Sequence, residues 1–279
     1  MQSGQLAAGP AVAPAPDAAE LAFVAAQRNE RRRILLPLLG GATLLLVWWA
    51  LVEVFQVKPF IAPAPQVVAR TIYDRFGLLM SNLAPTAIEA IGGFVLGNFA
   101  AILTAAVFVH SRSVEQAFFP VAVLINSIPV VAKAPILVLL LGNGLAPKVA
   151  IAAIICYFPT LVNMVRGLQA VSPQAMELMH VLSASEREVF FKLRVPTSLP
   201  FLFSALKIAT STATVGAIVG EWIGSQTGIG ALIIQATYNF DSALLYATVL
   251  CGSTFSVLFF LAIRAIELWV VHWETGVAP

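Results

Sequence analysis

The chain has 279 residues, of which 59% are hydrophobic and 11% charged, and its mean hydropathy is +0.89. Soluble domains carry about a quarter of charged residues, so this composition excludes an ordinary soluble domain and indicates a protein that resides in lipid. The formal net charge of +2 is too small, and the basic residues are too dispersed, to favour binding of nucleic acid.

The N-terminal 33 residues are rich in Ala and Pro and end in a cluster of arginines. They predict a disordered tail before a membrane anchor, because the next hydrophobic run is long enough to span and has no clear small-residue cleavage site. A spanning helix needs about 20 mostly apolar residues. Stretches of this kind cover residues 34–55, 83–109, 114–141, 147–165, 199–223 and 243–271. The chain is therefore predicted to be an all-α integral membrane protein with six transmembrane helices over 34–271 and a short tail at 272–279.

The connection between the first two predicted spans is amphipathic. Residues 65–80 place Val68, Ile72, Phe76 and Leu79 on one helical face and polar residues on the other. This pattern predicts an interfacial helix that lies on the membrane surface.

A longer polar connection, from about residue 166 to residue 199, predicts a helix-turn-helix that projects from the membrane. Ser172, followed directly by a proline, is typical of a helix N-cap. Ser185 and Glu188 fit a capping box that begins a second short helix, and Pro196 is expected to limit that helix.

The distribution of Lys and Arg predicts the orientation, because cytoplasmic loops carry an excess of these residues. One side contains Arg28, Arg31, Arg32, Arg33, Arg112, Arg166, Arg187, Lys192 and Arg194, and the other contains Lys58, Arg70, Arg75 and Lys148. Both termini and the helix-turn-helix are therefore expected in the cytoplasm.

The sequence offers no pattern for catalysis. It contains no G-x-x-x-x-G-K-[ST] sequence, so any ATP is expected to be hydrolysed by another chain. The glycines of GSQTGIG, residues 224–230, predict a flexible loop between the last two spans. The three histidines are far apart, and Cys156 and Cys251 lie in apolar runs, so neither a metal site nor a catalytic cluster is predicted.

The helix-turn-helix resembles the cytoplasmic "EAA" loop of ABC importer permeases. ELMHVLSASEREVFFKLRVP aligns with that loop without a gap, with Glu177 at the acidic position, Ser183 at the glycine position and Pro196 at the proline position. Leu178 and Met179 replace the two alanines. The resemblance implies that Glu177, Ser183, Ala184 and Ser185 contact an ATPase.

Three further stretches extend the likeness over most of residues 44–270. NSIPVVAKAPILVLLLGNG, CYFPTLVNMVRGL and GEWIGSQTGIGALI are similar to the nitrate, sulfonate and taurine branch of these permeases. The resemblance implies a type I importer permease in a prokaryotic inner membrane. It also implies a second permease copy, an extracytoplasmic substrate-binding protein and a cytoplasmic ATPase dimer that binds ATP and Mg, with no cofactor in this chain.

Lys133 is the charge expected deepest in the membrane, within the third span. A charge at this depth costs several kcal/mol, so it should face protein or water. It either lines a translocation pathway, together with Asn126, Ser127 and Glu221, or pairs with an acid such as Glu89 or Glu221, or snorkels.

The expected substrate is a small anion such as nitrate, a sulfonate, taurine or an aromatic carboxylate, and the alternative substrate is a pyrimidine or vitamin precursor. Two other classes of function stay open for the chain. A secondary transporter or channel would work without an ATPase, and a membrane-embedded enzyme would release a chemical product.

Overall fold

The computed structural model describes the backbone of residues 18–271 and the side chains of residues 35, 36 and 38–271. Within residues 18–271 every regular element is a helix. The described residues divide between Val57 and Lys58 into two compact units. The helices are α1 Ala18–Val54, α2 Pro65–Asp74, α3 Phe76–His110, α4 Arg112–Ser127, α5 Val130–Leu141, α6 Leu145–Gln169, α7 Pro173–Val181, α8 Glu186–Glu188, α9 Val195–Glu221, α10 Ile229–Tyr238 and α11 Ser242–Val270; a π-helical turn, Val189–Arg194, joins α8 to α9.

The first helix begins earlier than the predicted span. α1 is helical from Ala18, whereas the sequence pattern assigned residues 1–33 to a disordered tail. Residues 18–33 are dominated by Ala, Glu, Gln, Arg and Leu, which are strong helix formers, and this explains the difference. The rest of the tail, residues 1–17, and the short tail at 272–279 lie outside the described residues.

Each predicted span coincides with a long apolar helix or a pair of helices. Among the described residues, four helices are long and apolar enough to cross a membrane, and the pair α4–α5 can make a fifth span; these four are Phe76–His110, Leu145–Gln169, Glu186–Glu221 and Ser242–Val270. The apolar part of α1, Leu38–Val54, is shorter. This arrangement is compatible with six spans, and the number six stays a prediction.

The third predicted span is bent. α4 and α5 meet at an angle of 98°, where Ile128 takes an extended conformation with ψ of 127°. Because the ring of Pro129 disfavours helical backbone at the preceding residue, the helix stops there and starts again in a new direction. The prediction of a single helix over 114–141 was wrong at this point.

The core of the second unit is the packing of α3, α6 and α9 through small side chains. Ala90, Ala152, Ala213 and Ala217 are fully buried. At Gly97 a Cβ atom would overlap the backbone of Ala153 on α6. Close approach at small residues lets helices gain van der Waals contact where lipid gives no hydrophobic drive between them.

The predicted interfacial helix is shorter than expected. α2 ends at Asp74, and Arg75, with φ of −112° and ψ of 24°, joins it to α3. α2 packs on α11 and α3 with Val68 buried. Phe76, which was predicted to continue the apolar face of α2, instead begins α3 and is exposed.

The second unit has two distinct ends. At the α7 end, Gln169 bonds Glu115, and the His110 ring packs on Phe190 at 4.7 Å between centroids. At the α10 end, Arg75 pairs with Asp241 at 2.9 Å. The functional candidates fall into one group at each end and a third at the α4–α5 bend.

Candidate coupling loop and buried polar cluster

The predicted helix-turn-helix is present at the α7 end. The hydroxyl of Ser172 accepts a hydrogen bond from the Ala175 amide at 3.3 Å and caps α7. Ser185 and Glu188 form the predicted capping box at the start of α8. Both helix starts are therefore confirmed.

The turn between α7 and α8 is a Schellman motif. Ser183 has φ of +52°, its amide donates to the His180 carbonyl at 2.9 Å, and the Ala184 amide donates to the Met179 carbonyl at 3.0 Å. These are the two backbone bonds that close such a motif, whose left-handed position is usually glycine. Ser183 occupies this position, which is also where it aligns with the glycine of the "EAA" loop.

The second loop helix continues into the membrane. α8, the π-helical turn and α9 form one uninterrupted helix, Glu186–Glu221, so the expectation that Pro196 ends the loop helix was wrong. Pro196 lies inside this continuous helix, and because proline has no N–H it cannot donate a helical hydrogen bond there. The π-helical turn precedes it, and such turns are frequent at functional sites. No local sequence pattern predicts this turn.

Contacts with the spanning helices anchor the loop. The Arg194 guanidinium donates to the Leu168 carbonyl at 3.3 Å, and Phe190 packs on His110. Ser183 and Ser185 are exposed at the tip and Glu177 is exposed on α7, whereas Ala184 is half-buried beside a cavity of about 280 Å³. The four predicted coupling residues thus lie in one exposed loop.

The predicted pathway residues are divided between two places. Asn126 and Ser127 are exposed at the end of α4, and Lys133 is half-buried in α5, just beyond the bend. Asn126 also lines an apolar cavity of about 720 Å³ among α3, α4 and α6. Glu221 is different, because it is 1% exposed and bonds to α3 and α10.

A buried ion pair joins α3 to α6 near the α10 end. Lys148 Nζ lies 2.9 Å from Glu89 Oε1, with side chains 10% and 2% exposed, and it also donates to the Ser225 hydroxyl at 2.8 Å. The sequence suggested Lys133 as a partner for Glu89. Lys148 is that partner instead, although its position at the start of a predicted span indicated a charge in a solvent-exposed loop.

The start of α10 is held by side chains of α3 and α9. The amides of Gly228 and Ile229 donate to the side chains of Asn82 at 3.0 Å and Thr86 at 2.8 Å. The Gly230 amide donates to the Glu221 carboxylate. Three of the amides at or next to the helix start, which lack helical partners, are thereby satisfied, and a carboxylate stands where the helix dipole favours it.

This arrangement corrects the prediction of a flexible loop at residues 224–230. Gly228 has φ of +115°, and a Cβ atom there would overlap the Glu221 carboxylate. The glycines therefore permit a tight, buried helix start, with Ile229 fully buried. Glycine patterns alone do not distinguish such a start from a mobile loop.

A second ion pair within the spans was also missed. Lys207 of α9 and Glu267 of α11 lie 2.8 Å apart, and both side chains are mostly buried. The sequence feature that could have predicted this pair is the presence of one basic residue and one acidic residue in neighbouring predicted spans.

Comparison with known proteins supplies the family. Residues 77–272 match the family described as "Binding-protein-dependent transport system inner membrane component". The chain belongs to this family. It is therefore an inner-membrane permease subunit of an ABC importer, a transport component rather than an enzyme, and the predicted all-helical permease fold is confirmed.

Individual relatives agree with this assignment. A probable ABC transporter permease of Haemophilus influenzae is 33% identical over 86% of this chain and 96% of its own length. The formylaminopyrimidine transport permease ThiX of Halalkalibacterium halodurans is 33% identical over 83% of this chain and 93% of its own length. The riboflavin permease RibX of Chloroflexus aurantiacus is 32% identical, over 84% and 88% respectively.

A solved structure shares the fold. One chain of the MetNI methionine ABC transporter, in an inward-facing conformation, superposes with a TM-score of 0.52 at 18% identity and covers 75% of this chain and 98% of its own. At this identity the likeness supports the fold alone.

Proposed function

We propose that this permease couples solute import to a separate ATP-binding-cassette ATPase through the loop of α7 and α8. The observation that carries the proposal is the continuous helix from α8 to α9, which begins at the exposed loop tip and ends at Glu221. Any displacement of the tip is transmitted along this helix. The ATPase dimer binds ATP and Mg²⁺, and this chain contributes no cofactor.

Two permease copies form the pathway in this proposal, and a substrate-binding protein delivers the solute from outside. Lys133, Asn126 and Ser127 are assigned to the pathway because they lie within seven residues of one another around the α4–α5 bend and none of them is buried. Glu221 is assigned to the buried cluster at the α10 end, because α3 and α10 surround its carboxylate.

The solute we propose is a planar nitrogen heterocycle of the vitamin-precursor type. The relatives named for formylaminopyrimidine and riboflavin are 33% and 32% identical to this chain. The relative named "Putative aliphatic sulfonates transport permease protein SsuC" of Bacillus subtilis and the taurine permease TauC of Escherichia coli are each 22% identical to this chain. A small anion is the second candidate, and the half-buried Lys133 is the observation that favours it.

Reconstitution in proteoliposomes with the ATPase and the binding protein tests this function. We expect uptake of a labelled pyrimidine or flavin that requires ATP and stops when the ATPase carries an inactivating change in its nucleotide site. Taurine and nitrate are the matched alternatives for the anion hypothesis. Solute uptake by the permease alone would contradict the coupling proposal and favour a secondary transporter or channel.

The proposed orientation places both termini and the α7 end in the cytoplasm. In a variant that lacks Cys156 and Cys251, single cysteines at positions 60 and 145 should react with an impermeant thiol reagent in intact cells. Cysteines at positions 112 and 180 should react only after permeabilisation, because they lie at the α7 end. Reaction at position 180 in intact cells would invert the orientation and remove the ATPase contact.

A further inference from the structure

The cluster at the α10 end contains an imbalance of charge that the coupling function does not use. It brings together Glu89 of α3, Lys148 of α6 and Glu221 of α9. Glu89 and Glu221 are 2% and 1% exposed. If both carboxyl groups are ionised, the cluster holds two negative charges and one positive charge away from water, and such an excess charge is costly.

One oxygen of this cluster has no partner. Glu89 Oε1 accepts from Lys148, but Glu89 Oε2 is fully buried and has no hydrogen-bond partner among the described residues. The carboxyl group of Glu221 accepts from Thr86, which lies three residues before Glu89 on the same face of α3, so the two buried carboxyl groups are neighbours. Two ionised carboxylates in contact repel each other and cannot bond, because neither has a hydrogen to donate.

The neighbouring donors are already engaged elsewhere. Lys148 donates to Glu89 and Ser225, the Thr86 hydroxyl donates to Glu221 Oε1 at 2.6 Å, and the Gly230 amide donates to Glu221 Oε2. Among the described contacts, the cation that faces the two carboxyl groups is Lys148 of α6. The connection between α9 and α10 contributes Ser225, which carries no charge. A donor for Glu89 Oε2 is therefore still required.

We infer that the permease binds one proton between the carboxyl groups of Glu89 and Glu221. One proton supplies the missing donor, joins the two side chains by an O–H···O bond, and reduces the net charge of the cluster with Lys148 to zero. The ligand is a proton from the solvent, which forms an O–H bond with one carboxyl oxygen, and no other covalent bond changes. This site is independent of the coupling proposal.

The shared proton also has a structural consequence. Glu221 and Thr86 hold the first amides of α10, and Glu89 is tied to α6 through Lys148. The proton links these two sets of contacts, so α3, α6, α9 and α10 meet at one neutral cluster. Loss of the proton would leave two adjacent carboxylates at this junction.

Infrared difference spectroscopy of the complete transporter in lipid nanodiscs at neutral pH tests the proposal. We expect the wild-type spectrum to contain the C=O stretch of one protonated carboxyl group that is absent from both Glu89→Gln and Glu221→Gln. Each variant removes one partner, so the remaining carboxylate balances Lys148 without a proton. The matched control is Glu115→Gln, which changes a half-buried acid at the α7 end and should leave that band in place.

Two outcomes would overturn the proposal. One is a wild-type spectrum without a band that either variant removes. The other is a band that persists in Glu89→Gln, which would place the proton on Glu221 alone.

Thermal unfolding provides a second measurement. Glu89→Gln, a neutral shape mimic of the protonated acid, should unfold near the wild-type temperature, and Glu89→Leu should unfold clearly below it. Equal losses in the two variants would also contradict the shared proton.

Discussion

Lys148→Met is expected to lower the free energy of unfolding by roughly 3–5 kcal/mol, the usual loss when one partner of a buried ion pair is removed. The Lys148–Glu89 pair is almost completely buried at 2.9 Å. Without the ammonium group, Glu89 loses the donor to Oε1 and the cluster at the α10 end regains a net negative charge. The measurement is the thermal unfolding midpoint of the purified complex in detergent, together with the yield of assembled complex.

Lys133→Met is the matched control, since it makes the same change in the half-buried lysine of α5. No ion pair of Lys133 is found among the described residues, so we expect its unfolding midpoint to stay near the wild-type value. The triple variant Lys148→Met with Glu89→Gln and Glu221→Gln should recover part of the loss, because the uncompensated charge is removed. Equal destabilisation by the two lysine variants would contradict the structural role of Lys148.

The two lysines show why depth in a sequence profile does not identify an ion pair. Lys133 lies near the middle of its predicted span, but the bend at Pro129 redirects α5. Lys148 stands at the start of its span, so it resembled a loop charge. Lys148 is buried because α3 and the α9–α10 connection pack against it, and both are distant from it in sequence. Tertiary pairing of this kind depends on helix packing rather than on local pattern.

Local patterns were more informative where the physics itself is local. The caps at Ser172 and Ser185 require residues within three positions of each other, and apolar run length predicts the spanning helices. The buried start of α10 could not be predicted in this way, because the acceptors Asn82 and Thr86 come from α3. The π-helical turn likewise contacts residues distant in sequence, through Phe190 on α3 and Arg194 on α6.

Ser183→Val is expected to lower ATP-driven uptake at least about tenfold while the protein still inserts in the membrane. Ser183 has φ of +52°, a region in which a β-branched residue is a genuine outlier, and strain of this kind costs on the order of 1–3 kcal/mol. We expect the exposed turn to relieve this strain by opening, with loss of the two backbone hydrogen bonds that close it. The orientation of α7, and with it of Glu177, then changes. Because 1.4 kcal/mol corresponds to a factor of ten in rate, a loss of this order in the coupled state is large enough to measure.

Ser183→Gly is the matched control, since glycine adopts this backbone conformation at no steric cost, and it should keep both uptake and copurification with the ATPase at the wild-type level. Normal coupling in Ser183→Val would show that the geometry of this turn does not determine the ATPase contact.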